Sequence, residues 1–332
     1  MARSQVYVNH GVMDGLPETP LCPESSQCAS RVLMVRPGSF GRNEAAAQSN
    51  AFMRLPEVGE PAIASRAREE FDRLADAIAS AGVEVIIDDE PDLPDSVFPN
   101  NWMSFHDPVV SSPVLITYPM ATPLRRDERR PAVMERIRSM ARPGLRHIEL
   151  EHLEARGEIV EGTGALVLDR VRGVAFACRS PRATDAALDA WERATGFRVV
   201  RFDAADAQGE PIYHTNVMMS VGSRIAVVVP GVVAGRRGEA AFADAVEALG
   251  KRIIRLSAEQ MNEMCANVLE LRSVSGDAVI AMSSRAWEGF TRGQRSELQG
   301  VAKVVHVPIP TIERIGGGSV RCMIAELGSS SL

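Results

Sequence analysis

A unit of strand, turn, strand, helix and strand recurs along this chain at a spacing of roughly fifty residues, in the range that marks repeat architectures. In one copy Ala165-Leu166-Val167-Leu168 precedes a turn at 169–173, the strand Val174-Ala175-Phe176-Ala177, a helix near 182–195 and the strand Phe197-Arg198-Val199-Val200. The next sets Val217-Met218-Met219-Ser220, a turn at Gly222-Ser223, a strand at 225–229, a helix near 238–249 and Arg252-Ile253-Ile254. A third sets Val268-Leu269-Glu270-Leu271, a turn at 275–277, Ala278-Val279-Ile280-Ala281, a helix near 285–299 and Val304-Val305-His306-Val307. A weaker copy starts at Trp102-Met103-Ser104-Phe105, continues through 114–117 and has its helix near 126–140. Residues 322–327 read as the first strand of a fifth copy. The apolar run Arg31-Val32-Leu33-Met34-Val35, a helix over 61–82 with Phe71, Leu74 and Ile78 on one face, and the strand 83–87 complete that copy. The expected fold is therefore α/β, a five-bladed α/β propeller of pseudo-fivefold ββαβ repeats, with first strands near the axis and helices outside. Residues 1–29 mix Gly, Pro, Ser and Asn without periodicity and are expected to form a flexible tail, leaving 30–332 as a single domain.

If equivalent positions of the repeats converge on the axis, the residues just before each first strand meet at one mouth. These are Asn100-Asn101, Glu161-Gly162-Thr163-Gly164, His214-Thr215-Asn216, Ala266-Asn267 and Arg321-Cys322. Gly316-Gly317-Gly318 ahead of Cys322 lets the backbone turn freely and approach a ligand closely. Taken singly, each polar residue has a bland reading: Cys322 a small core residue, His214 a satisfied core histidine, Glu161 a turn acceptor for Thr163. No packing requirement places a thiol, an imidazole and a carboxylate together, however, and their coincidence points to a cysteine-based catalytic site. A thiolate attacks an sp2 carbon, an imidazole exchanges protons with a leaving amine and an incoming water, and a carboxylate holds the imidazole or grips a substrate N–H.

Composition narrows the partners. The formal net charge of −6 argues against nucleic acid and anionic membranes, and no apolar run is long enough to span a bilayer. The start lacks an apolar signal-peptide core, and Cys22, Cys28, Cys178, Cys265 and Cys322 are scattered with no CxxC. Reduced thiols in a cytoplasm follow, rather than a disulfide frame or a zinc site. The histidines form no HExxH, and His147 and His152 read as surface or core residues, so neither a metal nor a cofactor is expected. A small molecule is the expected partner, and self-association into a homo-oligomer is left open.

These motifs resemble the guanidino-group-modifying, or pentein, superfamily, which includes arginine deiminase, dimethylarginine dimethylaminohydrolase, succinylarginine dihydrolase and the amidinotransferases. The resemblance covers about residues 30 to 328. It implies the five-bladed propeller and a Cys-His-Glu site, with Cys322 as nucleophile, His214 as acid/base and Glu161 as carboxylate partner. Val97-Phe98-Pro99-Asn100-Asn101-Trp102, His214-Thr215-Asn216 and the segment 316–323 look most like the citrulline-utilisation hydrolase branch.

Arginine deiminases carry Asp where Asn101 and Asn216 stand here. A guanidinium offers only donors and suits carboxylates, whereas an amide offers a donor and an acceptor and suits a neutral urea. Facing a guanidinium with amides would forfeit charge-assisted bonds of about 1.5–3 kcal/mol each. The expected substrate is thus a ureido amino acid, most simply citrulline, cleaved to ornithine, ammonia and carbon dioxide through a thiocarbamoyl-Cys322 intermediate. Glu161 could still supply the single negative charge a guanidinium needs. Arginine deiminase or dihydrolase action and arginine-dependent amidino transfer therefore stand as alternatives, and a non-enzymatic binding propeller as a third. Asn267 is expected to line the pocket and Cys265 to lie in the core. Asp95 is a candidate for the substrate's α-amino group, and Arg321, Arg314 and Arg36 for its carboxylate.

Overall fold

The computed structural model describes residues 27–48, 50, 52–55, 59–90, 92–107 and 112–328. Its strands form five separate three-stranded sheets. β1 (Arg31–Pro37) and β2 (Glu84–Glu90) pair in parallel, with Leu33 opposite Ile86. β3 (Met103–His106), β4 (Val114–Thr117) and β5 (Arg146–Glu149) make the second sheet. β6 (Leu166–Asp169), β7 (Val174–Cys178) and β8 (Arg198–Phe202) make the third. β9 (Met219–Val221), β10 (Ile225–Val228) and β11 (Arg252–Arg255) make the fourth, and β12 (Leu269–Arg272), β13 (Ala278–Ser283) and β14 (Lys303–Val307) the fifth. In each of these four sheets an antiparallel hairpin is followed by a helical crossover to a parallel third strand. The first sheet is assembled from both ends of the chain, because β15 (Ala325–Glu326) pairs antiparallel with β1, Leu33 facing Ala325.

Strand composition follows position. The middle strands are near-continuous apolar runs because both faces are covered: Val174–Cys178 is buried throughout, as is Ile225–Val228. The outer strands alternate or carry charge, as in Arg252-Ile253-Ile254-Arg255 and Lys303-Val304-Val305-His306-Val307, which discourages edge-to-edge pairing. The helix Glu60–Ser80 packs a stripe of Ile63, Ala67, Phe71, Leu74 and Ile78, each fully buried. It starts with a proline in its first turn, where no N–H is needed, and chain direction reverses at Gly82 (φ +90), whose Cβ would meet Ser273.

Two expected helices are split. Over 126–140 the chain makes Pro123–Arg126 and then Pro131–Met140, because Pro131 cannot donate back to the preceding turn. Over 285–299 it makes Ser284–Gly289 and Arg292–Gln299, because Thr291 and Gln294 form a capping box that starts a new helix. The expected tail lies outside the described residues as far as 26, but its last three residues do not form a tail. Gln27, Cys28 and Ala29 are buried, and the Gln27 amide bridges β6 and β9 by donating to Leu168 O and Val221 O. Among the described residues no helix is long and apolar enough to cross a membrane.

What positions the site is the way the sheets meet. β15 contacts β3, β6 contacts β9, and β9 contacts β12. Ahead of four first strands the chain makes a single turn of helix: Pro99–Asn101, Gly162–Ala165, Thr215–Val217 and Val320–Met323. Pro99–Asn101 touches both Val320–Met323 and Gly162–Ala165, and the last of these touches Thr215–Val217.

The helix Glu60–Ser80 joins β1 and β14 through its apolar stripe. Phe71→Ala should lower unfolding free energy by about 3–5 kcal/mol, read from the urea midpoint.

Candidate active site

The turns can meet because glycine stands wherever another residue must come close. Gly162 (φ +42) lies against the Asn100 and Asn101 carbonyls, and any Cβ on Gly164 would collide with Asn101 Nδ2 and the His214 ring. Gly316 and Gly318 face the Phe98 ring, and Gly317 (φ +66) faces Asn50 and Met53. The fourth approach uses a different device. Met264, buried, holds a left-handed backbone (φ +60), the only non-glycine residue to do so among those described, and its carbonyl accepts the Asn267 N–H.

The Cys322 thiol is buried and touched by two amides, with Asn216 Nδ2 and Asn267 Nδ2 each 3.4 Å from Sγ. The polarity of Asn267 is fixed by the backbone: Arg321 N–H donates to its Oδ1 at 3.1 Å, and its Nδ2 donates to Asn216 O at 3.1 Å. The amide nitrogen is the end nearer the sulfur, a donor suited to a thiolate, while Oδ1 lies 3.7 Å away and can accept from the thiol.

His214 Nε2 lies 2.8 Å from Glu161 Oε2, both fully buried side chains. Glu161 also accepts from Arg182 Nη1 at 3.3 Å and from Ala121 N at 3.0 Å. Burial opposes its ionisation, but the Arg182 guanidinium, the His214 hydrogen bond and the more distant Arg125 hold the carboxyl well below the usual carboxylate range. Burial pushes His214 down to about 4 against the raising effect of Glu161. At neutral pH this is a carboxylate facing a neutral imidazole. A carboxylate only accepts, so the ring nitrogen beside Glu161 carries the proton, and the other, beside Gly164, is a bare base.

Cys322 and His214 line one cavity together with Asp95, Phe98, Asn101, Arg125, Arg182 and the Gly316–Gly318 backbone, among other residues. Its volume is about 20 Å³, room for a water rather than an amino acid. Ala46 and Asn50 form one wall, and Tyr213 is shared with a neighbouring groove of about 830 Å³. Tyr213 donates to Gly317 O at 2.9 Å, while the Gly317 N–H is taken by Glu313 O.

Among the sequence-derived candidates, Cys322, His214, Asn101 and Asp95 line this cavity, and Glu161 backs His214. Asp95 is buried, with Oδ2 accepting from Asn43 and Oδ1 without a hydrogen-bond partner; burial raises its pKa against the pull of Arg125. Asn216 and Asn267 hold the sulfur rather than forming cavity wall. Asn216 instead borders a separate cavity of about 30 Å³ with Gln27, Arg170, Arg321 and Glu326.

Arg321 turns away from Cys322, donating to Ile324 O and Glu326, because successive residues of a tight turn point in different directions. Arg36 pairs with Asp72 on the surface, Arg314 borders the larger groove, and Cys265 is a core residue bonded to Ala286 O. The guanidinium groups that do line the cavity, Arg125 and Arg182, had no distinguishing mark among 37 Lys and Arg. Arg125 donates to Glu128 through Nε and Nη2, to Phe98 O, and to Asn101 Oδ1 at 2.8 Å. Arg182 stacks over the Tyr213 ring and donates to Ala46 O. Among the described residues no group of three or more His, Cys, Asp or Glu could hold a metal ion.

Residues 36–329 match a family model described as N,N dimethylarginine dimethylhydrolase, eukaryotic. No curated protein matches the chain. Among solved structures, the chain shares the fold of the N-terminal domain of ArgZ bound to substrate, an arginine dihydrolase from the ornithine-ammonia cycle in cyanobacteria. That match has a TM-score of 0.69 and 16% identity, covering 91% of this chain and 99% of that one. AgrE in complex with L-arginine gives 0.68 and 16%, covering 90% of this chain and 40% of AgrE. A dimethylarginine dimethylaminohydrolase adduct with S-methyl-L-thiocitrulline gives 0.60 and 15%, covering 90% and 99%.

The buried histidine sets a pH dependence. Between pH 6.5 and about 4 the unfolded chain takes up a proton at this position that the folded protein refuses. Stability should therefore fall as pH falls through that window, by up to roughly 1.4 kcal/mol per pH unit from this group. His214→Asn should lose less stability than the parent between pH 7 and 5, and equal losses in the two urea-midpoint series would contradict the assignment.

Proposed function

The chain belongs to the N,N-dimethylarginine dimethylhydrolase family, hydrolases of guanidino C–N bonds, and from that premise we propose a cysteine-dependent hydrolase of an arginine-like amino acid. Citrulline is the substrate the site suits best. One observation carries the reading: a thiol held by two amide donors shares a cavity with an imidazole that a buried carboxylate keeps in one tautomer. We infer also that the five sheets are blades of one propeller, supported by the contacts between their first strands and by the likeness to ArgZ.

In the proposed reaction the Cys322 proton passes to the bare nitrogen of His214, and the thiolate attacks the ureido carbon. Glu161 stabilises the resulting imidazolium. His214 returns the proton to the departing δ-amine, ornithine leaves, and a thiocarbamoyl group remains on Cys322. Water then gives its proton to His214 and its hydroxide to the carbonyl carbon. The thiolate is expelled, and the carbamate released breaks down to ammonia and carbon dioxide. Asn216 and Asn267 favour the thiolate both as attacker and as leaving group. Arg182 brings positive charge to the cavity for the substrate's α-carboxylate, and Asp95 an acceptor for an N–H.

A second reading starts one step earlier, with arginine hydrolysed twice at the same thiol. The likeness to an arginine dihydrolase and the unpartnered Asp95 oxygen favour it.

Ammonia release should be seen with citrulline and fall on the order of 10⁴-fold or more in Cys322→Ala. Ammonia released from arginine, or a methylamine released from methylated arginines, with none from citrulline would keep the thiol's role and remove citrulline. Release unaffected by the substitution would remove the nucleophile.

A further inference from the structure

We propose that Glu154 is a positioning residue that aims the Ala121 N–H at Glu161, and so sets how much of the Glu161 charge is left to act on His214. The inference deepens the hydrolase reading above and rests on it for the role of His214.

The two oxygens of Glu161 are answered from different sides. Oε2 faces His214 Nε2 at 2.8 Å and Arg182 Nη1 at 3.3 Å. Oε1 accepts from the Ala121 N–H at 3.0 Å. That donor is main chain, so its aim depends on the turn that carries it, residues 118–121 between β4 and the helix Pro123–Arg126. Three main-chain groups just ahead of Ala121 lead to Glu154, on the short helix Glu151–Arg156. Met120 N–H donates to Glu154 Oε1 at 2.9 Å. Arg129 Nη1 ties Glu154 Oε1, at 2.7 Å, to Tyr118 O, at 2.8 Å. Arg126 Nε lies 3.2 Å from Glu154 Oε2 and donates to Met120 O at 3.1 Å. Tyr118 and Met120 are fully buried, so water is no substitute for these partners.

The successive N–H groups of Met120 and Ala121 are thus handed to two different carboxylates. Without Glu154, the Met120 N–H and two guanidinium groups lose their acceptor, and the turn rotates towards other partners. The Ala121 N–H then leaves Glu161. A carboxylate relieved of one donor bonds more strongly to those that stay. His214 Nε2–H would feel that gain, and so would the imidazolium formed during the reaction. Glu154 therefore tempers the basicity of His214 without touching it. Arg182, Arg125, Asp95, Glu128, Tyr213 and Cys322 also face this pair, so a change must be read against a variant that leaves the turn alone.

The test reads His214 directly and does not depend on turnover. With isotope-labelled histidine, the His214 Nε2–H proton resonance is recorded at pH 7 in the parent, Glu154→Ala, Glu154→Gln and Phe71→Ala. The last removes core packing and no hydrogen bond. The kcat/KM–pH profile for citrulline is measured alongside, since its acid limb reports protonation of the base in the free enzyme.

In Glu154→Ala the resonance should move downfield, as a strengthened bond to Glu161 requires. The acid limb should rise by about half a pH unit or more, the weight of one hydrogen bond, because a better stabilised imidazolium forms at higher pH. Glu154→Gln keeps an acceptor for the Met120 N–H but sets a donor against both arginines. It should move both readouts in the same direction by less, and it decides the matter if the alanine protein does not fold. Phe71→Ala should lower stability and move neither. A resonance that stays in place or moves upfield in the Glu154 variants, or moves equally in Phe71→Ala, would make Glu154 a structural residue only and overturn the inference. Absent citrulline turnover in the parent, with the resonance moving as expected, would remove the hydrolase reading alone.

Discussion

The buried Glu161 carboxylate is the group on which the arrangement depends. A bare carboxylate in a protein interior is strongly disfavoured, and it persists only where donors surround it. Here they come from three connections: Ala121 after β4, Arg182 after β7, and His214 before β9. Each of these belongs to a different repeat. Satisfying one side chain therefore requires neighbouring sheets to sit in the right relation, and any slip between them would leave a charge without partners. The same charge fixes the tautomer of His214, so fold and reactivity are linked through one group.

The repeat was legible in the sequence because ββαβ order, apolar middle strands and turn glycines are local signals. So was the meeting of Cys322, His214 and Glu161, since equivalent positions of repeats end up near one another. Arg125 and Arg182 were not, because a long basic side chain acquires meaning only from its partners. Arg125 is set by Glu128 and Asn101, and Arg182 by Glu161 and the Tyr213 ring. The residue next to the thiol misled for a related reason. Arg321 shares a turn with Cys322, yet adjacent side chains in a turn diverge, and Glu326 captures the guanidinium on the other side. Gln27 lies in a segment without periodicity, but it is pinned by hydrogen bonds to β6 and β9, strands far along the chain.

The asparagines show how much of a site is decided by neighbours rather than by residue type. Read from sequence, Asn101 and Asn216 were a pair suited to a urea and Asn267 a pocket-lining amide. In the structure a backbone N–H sets the polarity of Asn267 and a guanidinium that of Asn101. Two of the three address the sulfur and one the cavity. The preference for amides over carboxylates then has separate causes at separate positions.

Next to Sγ the cause is electrostatic. A carboxylate about 4 Å from a thiolate would oppose it by roughly 4 kcal/mol at an effective dielectric near 20, whereas an amide N–H stabilises the same charge. A cationic substrate can tolerate carboxylates there, because its own charge offsets theirs while it is bound. A neutral ureido group brings no such charge, so the thiolate must be supported by the protein alone. Asn216 and Asn267 provide that support without adding charge, and they do so before any ligand arrives. For the ureido substrate proposed above, the amides at the sulfur and the amide on the cavity would answer one demand, reaction with an uncharged carbon centre.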